Sequence, residues 1–405
     1  MKNCVLYIGD FDFRNENVQA HLVKNNGMLL NSLGYHIEYV GINRRADSFE
    51  VIQKLSPIIL DNDNCYYELP ETLNIKGLFK TFDICRAIIA KLDELKKLYK
   101  ISYIITYQSP TYAIAIKRIA TWCKRNRTPY IVNCADLPIF DAQSPLRKIV
   151  MKRNWDYMHK VNYKYADGVI AVSKYIAEFY HKSERPSVVI PPLYNYSAKI
   201  SGYRPNDITT FIYTGTPFKV TGYKVNTEGM KDRLDKIIDL FIALSSKDVT
   251  YKLNIVGISK VDYLTGVPRH RNALADNQSI CFFGKRSHKE TLSMISASDF
   301  SINYRDNNLM TKAGFSTKIV ESVSLGTPVV INDISDTYYY LQDGFSGYKL
   351  TDSIEDNVSL IHKLCTFSCS DRASLKKALV DEQIFAYTKY ADRMKQFLES
   401  VLARK

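Results

Sequence analysis

Two successive sets of alternating strand and helix patterns constrain this chain more than any other feature. In the first set, short runs rich in β-branched residues alternate with stretches whose apolar residues recur every three and four positions. The predicted strands are 4–8, 36–40, 101–107, 130–134, 168–172 and 188–190, and the predicted helices are 18–33, 82–98, 112–125, 146–165 and 174–181. Because this alternation produces a parallel sheet covered by helices on both faces, we predict an α/β fold.

The second set begins after a segment that breaks this rhythm, since residues 191–205 contain three prolines and a glycine, as is typical of an interdomain linker. The strands predicted beyond it are 210–213, 251–256, 279–283, 300–303 and 328–331, and the helices are 231–244, 289–296, 317–325 and 354–364. A chain of 405 residues also exceeds the usual size of one α/β core. We therefore predict two doubly wound, Rossmann-like domains at 1–195 and 206–381. A flexible loop is expected at 219–230, and a C-terminal helix from residue 382 is expected to return to the first domain.

Charge and motif content narrow the function classes. The chain carries 55 Lys and Arg against 42 Asp and Glu, and this net charge of +13 suits an anionic partner such as a nucleotide diphosphate, an acidic bilayer or a nucleic acid. Nucleic-acid binding is disfavoured because the sequence contains no ribonucleoprotein motif, zinc knuckle or helix-turn-helix signature. A nicotinamide-dependent oxidoreductase is disfavoured because no strand is followed by a Gly-x-Gly-x-x-Gly turn.

The cysteines and the apolar runs exclude further classes. The eight cysteines are scattered, and Cys4, Cys134 and Cys281 lie in apolar strand-like runs, so no disulfide framework is expected. Cys365 and Cys369 are not accompanied by a second pair of ligands at zinc spacing. No apolar stretch approaches the ~18 to 20 residues that a membrane-spanning helix requires. We therefore predict a cytoplasmic protein, or one bound peripherally at the inner face of the membrane.

The strand exits of the second domain are the places to look for a ligand site, because free backbone N–H groups and helix dipoles converge there in α/β folds. After the strand at 300–303 comes a polar loop, then a Gly-containing turn that opens the helix at 317–325. Gly314 lets the backbone approach a ligand closely, and Ser316 or Thr317 is suited to cap the helix.

Residues 313–330, AGFSTKIVESVSLGTPVV, resemble the donor signature of the GT-B retaining glycosyltransferases of family 4. The resemblance implies that Glu321 accepts hydrogen bonds from the ribose hydroxyls of a nucleotide sugar. It also implies that the amides of Gly314, Phe315, Ser316 and Thr317 face the sugar and the diphosphate. The chain departs from this signature at Ala313, where the family has its first Glu.

Two further segments resemble the same family in the expected order. The strand at 210–213 leads to Gly215, which meets the donor phosphates in the family, and Thr216 stands where many members have an Arg. Lys231, after the following loop, resembles the Lys that meets the donor phosphates in the family, and phosphate binding is favoured for it over a solvated position at the start of a helix. Lys219 is a candidate to replace the missing Arg, and for this residue a phosphate contact and a solvated position are equally favoured.

The second of these segments runs from 281 to 290. Its turn at Gly284 and Lys285 resembles the turn whose backbone reads the nucleotide base, and a uracil edge suits it. His288 follows this turn, and a helix-capping or surface position is favoured for it over a catalytic one.

The first domain resembles the acceptor side of the family more loosely, through Gly9 after the first strand and Asp136 after the fourth. Gly9 either lets a pyrophosphate or acceptor approach or makes the turn. Asp136 either orients an acceptor hydroxyl or the donor sugar, or caps the next helix.

The resemblance implies transfer of a hexose from a nucleotide-diphosphate sugar, UDP-linked, to a glycan or lipid-linked acceptor in bacterial surface polysaccharide synthesis. Retention would proceed by front-face displacement, with Asp136 and Lys231 as the catalytic candidates and no metal or cofactor. The alternative is a catalytically inactive GT-B protein that binds sugar nucleotides or acts as a scaffold, because Ala313 replaces the first Glu. The helix at 146–165 is either a sheet-covering helix with a solvated basic face or a docking element for anionic lipid.

Overall fold

The computed structural model describes residues 1–14, 18–43, 56–70, 77–107, 113–137, 145–181, 184–196, 203, 207–221, 224–226 and 232–404. The chain divides into two compact units. The first unit comprises Met1–Leu193 together with Ala386–Lys405, and the second comprises Tyr194–Phe385. The predicted α/β class with two Rossmann-like domains is confirmed.

The first unit is built on one sheet, which contains eight strands in the described part of the chain, in the order β3-β4-β2-β1-β5-β6-β7-β8. The strands are β1 (Asn3–Gly9), β2 (His36–Asn43), β3 (Ile58–Ile59), β4 (Cys65–Pro70), β5 (Lys100–Tyr107), β6 (Tyr130–Cys134), β7 (Gly168–Ala171) and β8 (Ser187–Val189). The helices are α1 (Val18–Ser32), α2 (Gly77–Leu98), α3 (Ala113–Asn126), α4 (Pro145–Tyr165) and α5 (Lys174–His181). Neighbouring strands are parallel except β3, which pairs antiparallel with β4.

Burial in the first unit follows the apolar periodicity of the sequence. Strand β1 is buried from residue 4 to residue 8, and one face of helices α2 and α3 supplies Leu92, Ile116 and Ile119 to the same core. A central strand of a parallel sheet has helices on both faces, which is why β1 is continuously apolar rather than alternating.

The second unit has a parallel sheet whose described strands follow the order β13-β12-β9-β14-β15-β16. The strands are β9 (Thr209–Thr214), β10 (Lys219–Thr221), β11 (Lys224–Asn226), β12 (Tyr251–Val256), β13 (Ile280–Gly284), β14 (Phe300–Ile302), β15 (Val329–Asn332) and β16 (Gly347–Leu350). The helices are α6 (Leu234–Leu244), α7 (Lys260–Gly266), α8 (Arg271–Ala275), α9 (His288–Ala297), α10 (Leu309–Ala313), α11 (Thr317–Ser324), α12 (Thr337–Tyr340), α13 (Ile354–Cys365) and α14 (Cys369–Glu382). Its core is formed by β9, β12 and β14 with the apolar faces of α6 and α13.

Within the segment predicted as a flexible loop at 219–230, the described residues 219–221 and 224–226 form regular structure. Strands β10 and β11 pair antiparallel, and Val220 faces Val225. For these six residues the prediction of a loop was wrong, because the polar residues conceal an alternation that places both valines against the second core. The other residues of the segment lie outside the described residues.

The C-terminal helix also begins later than predicted. Helix α14 ends at Glu382, because Gln383 takes a left-handed conformation with φ 47°. Phe385 is then fully buried in the second unit, and the last helix, α15 (Ala391–Ala403), starts six residues later. Helix α15 packs Phe397 and Val401 against Gly168 in the first unit, as the predicted return requires.

A buried lysine makes the stability of the second unit depend on pH. The side chain of Lys376 in α14 donates to the carbonyl oxygen of Ser298 at 2.6 Å and to Thr327 Oγ1 at 2.7 Å. Burial lowers the pKa of Lys376 to about 7, and the nearby Asp299 compensates only in part. The unfolded chain therefore binds a proton between about pH 7 and pH 10 that the folded chain does not bind.

Stability that depends on Lys376 consequently rises with pH. Between pH 7 and pH 8.5, we expect the free energy of unfolding of the wild type to increase by about 1.5 kcal/mol relative to that of Lys376→Met. Urea denaturation of both proteins at several pH values measures this difference. Lys377→Met, which removes the exposed neighbouring lysine, is the matched control. Identical pH profiles for the two variants would contradict the assignment.

Candidate functional site

Three strand exits in the second unit join into one continuous backbone surface. The amide of Gly215, after β9, donates to the carbonyl oxygen of Val256 at 2.8 Å, and the amide of Gly257, after β12, donates to that of Gly284 at 2.8 Å. A side chain at Gly257, whose φ is +118°, would overlap the backbone of Gly215. The close approach of these loops therefore requires glycine at this position.

A cavity of about 550 Å³ lies against these exits. Its lining brings together three predicted residues, Thr216, Gly284 and Lys285, with the apolar Phe218 and the acidic Asp262. Gly284 has a φ of +66°, and no atom lies within 4 Å of the position where its β-carbon would be, so its backbone borders open space. An apolar pocket of this size with a few polar groups is suited to a small ligand such as a nucleotide base.

The turn that opens α11 presents fewer backbone donors than the sequence predicts. The amide of Gly314 donates to the carbonyl oxygen of Met310 at 3.1 Å and is not available to a ligand. Ser316 is the N-cap residue of α11, but its side chain makes no capping hydrogen bond within the described residues. The amides of the first turn, including that of Thr317, are therefore candidates to meet an anionic group.

Two positions of the donor signature point into the protein. The ring of Phe315 is 8% exposed and packs against those of Tyr340 and Phe385, so its side chain belongs to the core. Ala313 ends α10 and is fully buried. The position where the signature has its first Glu therefore offers no carboxylate, and the alanine methyl group there is not exposed.

Glu321 lies on α11 and is already oriented by a neighbouring helix. His288, the first residue of α9, approaches Glu321 Oε1 with its Nε2 at 3.0 Å. The Glu321 side chain is 24% exposed. His288 therefore positions a carboxylate that remains accessible, a role that the sequence does not reveal because 33 residues separate the two.

A buried ionic cluster adjoins Gly215, and sequence reasoning missed it. Asp232, which precedes α6, accepts from Arg305 Nε at 2.8 Å and also from the side-chain amine of Lys318. The Lys318 amine lies directly over Gly215, where it would clash with any β-carbon. Since Lys318 and Glu321 are three residues apart in α11, they share one face of the helix and are one turn apart.

The charges of this cluster are set by its partners. Burial opposes ionisation of Asp232, but Lys318 and Arg305 outweigh it and hold the pKa of this carboxyl well below its usual range. The described residues of this cluster are two cations and one anion, which gives the cluster a net positive charge beside Gly215. Lys318 is the accessible cation, because its side chain is 25% exposed whereas that of Arg305 is 10% exposed.

The two lysines that the sequence offers as candidates for phosphate binding are not placed at the site. Lys231 lies outside the described residues. Lys219 begins strand β10, but the position of its side chain is not among those described. Both stay predictions, whereas Lys318 has a defined position at the strand exit.

The remaining predicted residues lie in the first unit. Gly9 ends β1, Asp136 follows β6, and strand β5, ending at Tyr107, lies between them. Gly9 is needed for packing, because a β-carbon there would be 2.5 Å from the carbonyl oxygen of Tyr107. Burial raises the pKa of Tyr107, and the negative charges of Asp136 and Asp10 raise it further. Three polar side chains thus gather at the carboxyl edge of this sheet.

Among the described residues, no group of three or more His, Cys, Asp and Glu side chains is arranged to hold a metal ion. No helix in the described ranges has both the length and the apolar character to cross a membrane. The predictions that the protein requires no metal and that it is cytoplasmic or bound at the inner face of the membrane therefore stay predictions.

Solved structures with this fold include several glycosyltransferases. The catalytic domain of starch synthase IV from Arabidopsis thaliana, bound to ADP and acarbose, has a TM-score of 0.66 at 11% identity, over 99% of this chain and 100% of that one. Sucrose-phosphate synthase from Thermosynechococcus elongatus has a TM-score of 0.63 at 14% identity and full coverage of both chains. HepE from Anabaena in complex with UDP has a TM-score of 0.61 at 14% identity, over 99% of this chain and 100% of that one. The chain therefore has the GT-B fold.

Comparison of the sequence with known proteins does not assign the chain to a family. No protein-family profile matches the chain, and no curated protein sequence is similar to it. The resemblance to family 4 therefore rests on the donor signature at 313–330 and on the further segments that resemble the family in the expected order.

Proposed function

We propose that this protein is a glycosyltransferase that transfers a hexose from a UDP-linked sugar to a glycan or lipid-linked acceptor, with retention, in the synthesis of a bacterial surface polysaccharide. One observation carries the proposal: Lys318 and Glu321 lie one helical turn apart on α11, beside the cavity-lining exits of β9, β12 and β13. A lysine and a carboxylate in this arrangement match the diphosphate and the ribose diol of a nucleotide sugar.

Each group has a chemical task in this proposal. The backbone at Gly284 and Lys285 borders the base, and Glu321, held by His288, accepts from the ribose hydroxyls. Lys318 and the first-turn amides of α11 stabilise the negative charge that develops when the bond from the sugar carbon to the diphosphate oxygen breaks. The acceptor oxygen forms the new bond to that carbon, and its proton passes to the departing diphosphate. Asp136 orients the acceptor hydroxyl.

Glu321→Gln tests the nucleotide part of the proposal. We expect this change to raise the dissociation constant for UDP and for uridine by about tenfold or more, because a neutral amide accepts hydrogen bonds from the ribose diol more weakly than a carboxylate does. Isothermal titration calorimetry measures both constants. Glu355→Gln, on the exposed start of α13, is the matched control. Unchanged binding of uridine would remove Glu321 from the site.

A second candidate function is a GT-B protein that binds nucleotide sugars without transferring the sugar. The burial of Ala313 favours it, because no carboxylate contacts the sugar at the position where the family's signature has one. Incubation with a UDP-sugar and no acceptor separates the two functions. A transferase is expected to release UDP slowly by hydrolysis, whereas an inactive binding protein leaves the donor intact.

A further inference from the structure

Among the described residues, helix α4 contacts the first unit through one face. Met158 and Val161 enter the core, and His159 is buried, with its Nδ1 at 2.9 Å from the hydroxyl of Tyr180 in α5. Burial lowers the pKa of His159 to about 4, so this contact is uncharged near neutral pH. The hydroxyl of Tyr163 also donates to the carbonyl oxygen of Phe179 at 2.6 Å. These contacts hold the helix in one rotational orientation, and its opposite face is directed outward.

The outward face has an apolar end and a basic remainder. We call it the α4 outer face, and its residues, spaced by three and four, are Leu146, Ile149, Val150, Arg153, Lys160 and Lys164. All six are exposed. The apolar three are 72%, 55% and 48% exposed, although residues of this kind are usually buried in a protein that stays in water.

The charges around this face are mostly positive. Helix α4 contains six Lys and Arg residues against one acidic residue, Asp156, which is exposed on the same side of the helix as Arg153 and Lys160. Lys148 and Lys152 are also exposed and flank the apolar end. Adjacent apolar and basic side chains on an exposed helix are the pattern that binds at the surface of an anionic bilayer, where apolar groups enter the interface and cations meet lipid phosphates.

We propose that the α4 outer face docks on an anionic lipid bilayer, with Leu146, Ile149 and Val150 inserted among the headgroups and Arg153, Lys160 and Lys164 bound to lipid phosphates. The charge complementarity favours a bilayer over a second copy of this chain, since two copies of so basic a face would repel each other. The sheet-covering and the lipid-docking interpretations of this helix thus apply to different parts of it. Its second half covers the sheet, and its exposed first half supplies the apolar contact.

Co-sedimentation of the full chain with vesicles tests the proposal independently of any reaction. We expect the wild type to bind vesicles of phosphatidylcholine mixed with phosphatidylglycerol, and to bind phosphatidylcholine alone at least about tenfold more weakly. The triple variant Leu146→Gln, Ile149→Gln, Val150→Gln is expected to lose about tenfold or more in partition coefficient. These positions are exposed, so folding is expected to persist, and circular dichroism checks it.

Charge variants distinguish a docking face from general attraction by a basic protein. Arg153→Gln, Lys160→Gln, Lys164→Gln is compared with Lys247→Gln, Lys252→Gln, Lys289→Gln, which removes three exposed cations from the second unit. Only the first variant is expected to lose vesicle binding by about tenfold or more. Equal losses, equal binding to neutral vesicles, or no binding at all would overturn the proposal. Dimerisation that the apolar triple variant abolishes, without vesicle binding, would assign the face to a second copy.

Discussion

Replacing Asp232 by asparagine is expected to lower the free energy of unfolding by about 3 to 5 kcal/mol, the range typical for removing one partner of a buried ion pair. The Asp232 side chain is 7% exposed and interacts with both Arg305 and Lys318. An amide at this position neutralises the only anion of the cluster and leaves two cations close together. Urea denaturation at neutral pH measures the loss.

The matched control for Asp232→Asn is Asp333→Asn. Asp333 pairs with Lys349 at 2.6 Å, but both side chains are nearly half exposed, so this pair is expected to contribute no more than about 1 kcal/mol. Adding Lys318→Met to Asp232→Asn removes one of the stranded cations, and the double variant is expected to be less destabilised than the sum of the single changes. Similar losses for Asp232→Asn and Asp333→Asn would show that the buried cluster is not a stabilising unit.

The fold was predictable because its signal is local and repeated. Most strands of the two sheets carry a short β-branched run, and most covering helices carry an apolar stripe, so alternation alone indicates a pair of parallel sheets. Strands β4 and β16 were not predicted, because their sequences, CYYELP and GYKL, contain no β-branched residue. The hairpin of β10 and β11 was not predicted, because a single pair of valines, Val220 and Val225, is too short a pattern to distinguish from a loop. The non-helical segment that follows Glu382 was not predicted either, because the burial of Phe385 is a tertiary effect that no local pattern indicates.

The candidate site was predictable only where its residues form one string. Glu321 and the turn before α11 lie within a recognisable segment, and the structure gives Glu321 an accessible position. Lys318 lies in the same segment, but its position at the site depends on its contact with Asp232, which lies 86 residues earlier in the chain. No local sequence pattern connects these two residues. Gly314 and Phe315 match the signature in residue type, but this match does not show that a backbone amide is free or that a ring faces outward. The amide of Gly314 is hydrogen-bonded, and the ring of Phe315 packs inside the second unit.

Lys318→Met is expected to lower kcat/KM for UDP release from a UDP-sugar by about a hundredfold to a thousandfold, as loss of one preorganised donor to a developing negative charge does in other enzymes. The reason is the position of the Lys318 amine over Gly215, at the strand exit that also borders the proposed base pocket. No other described residue of the cluster can replace it, since the guanidinium of Arg305 is largely buried. Steady-state kinetics of UDP release measures the loss.

Binding measurements distinguish a phosphate contact from a structural role. If Lys318 meets the diphosphate, Lys318→Met weakens UDP binding and leaves uridine binding unchanged, whereas Glu321→Gln weakens both. Lys318→Arg keeps the charge and is expected to restore part of the affinity for UDP, because a guanidinium also binds phosphate oxygens. Lys312→Met, an exposed lysine in α10, is the matched control. A loss of uridine binding in Lys318→Met equal to its loss of UDP binding would mean that the lysine supports the structure of the site, and the diphosphate would then require another cation.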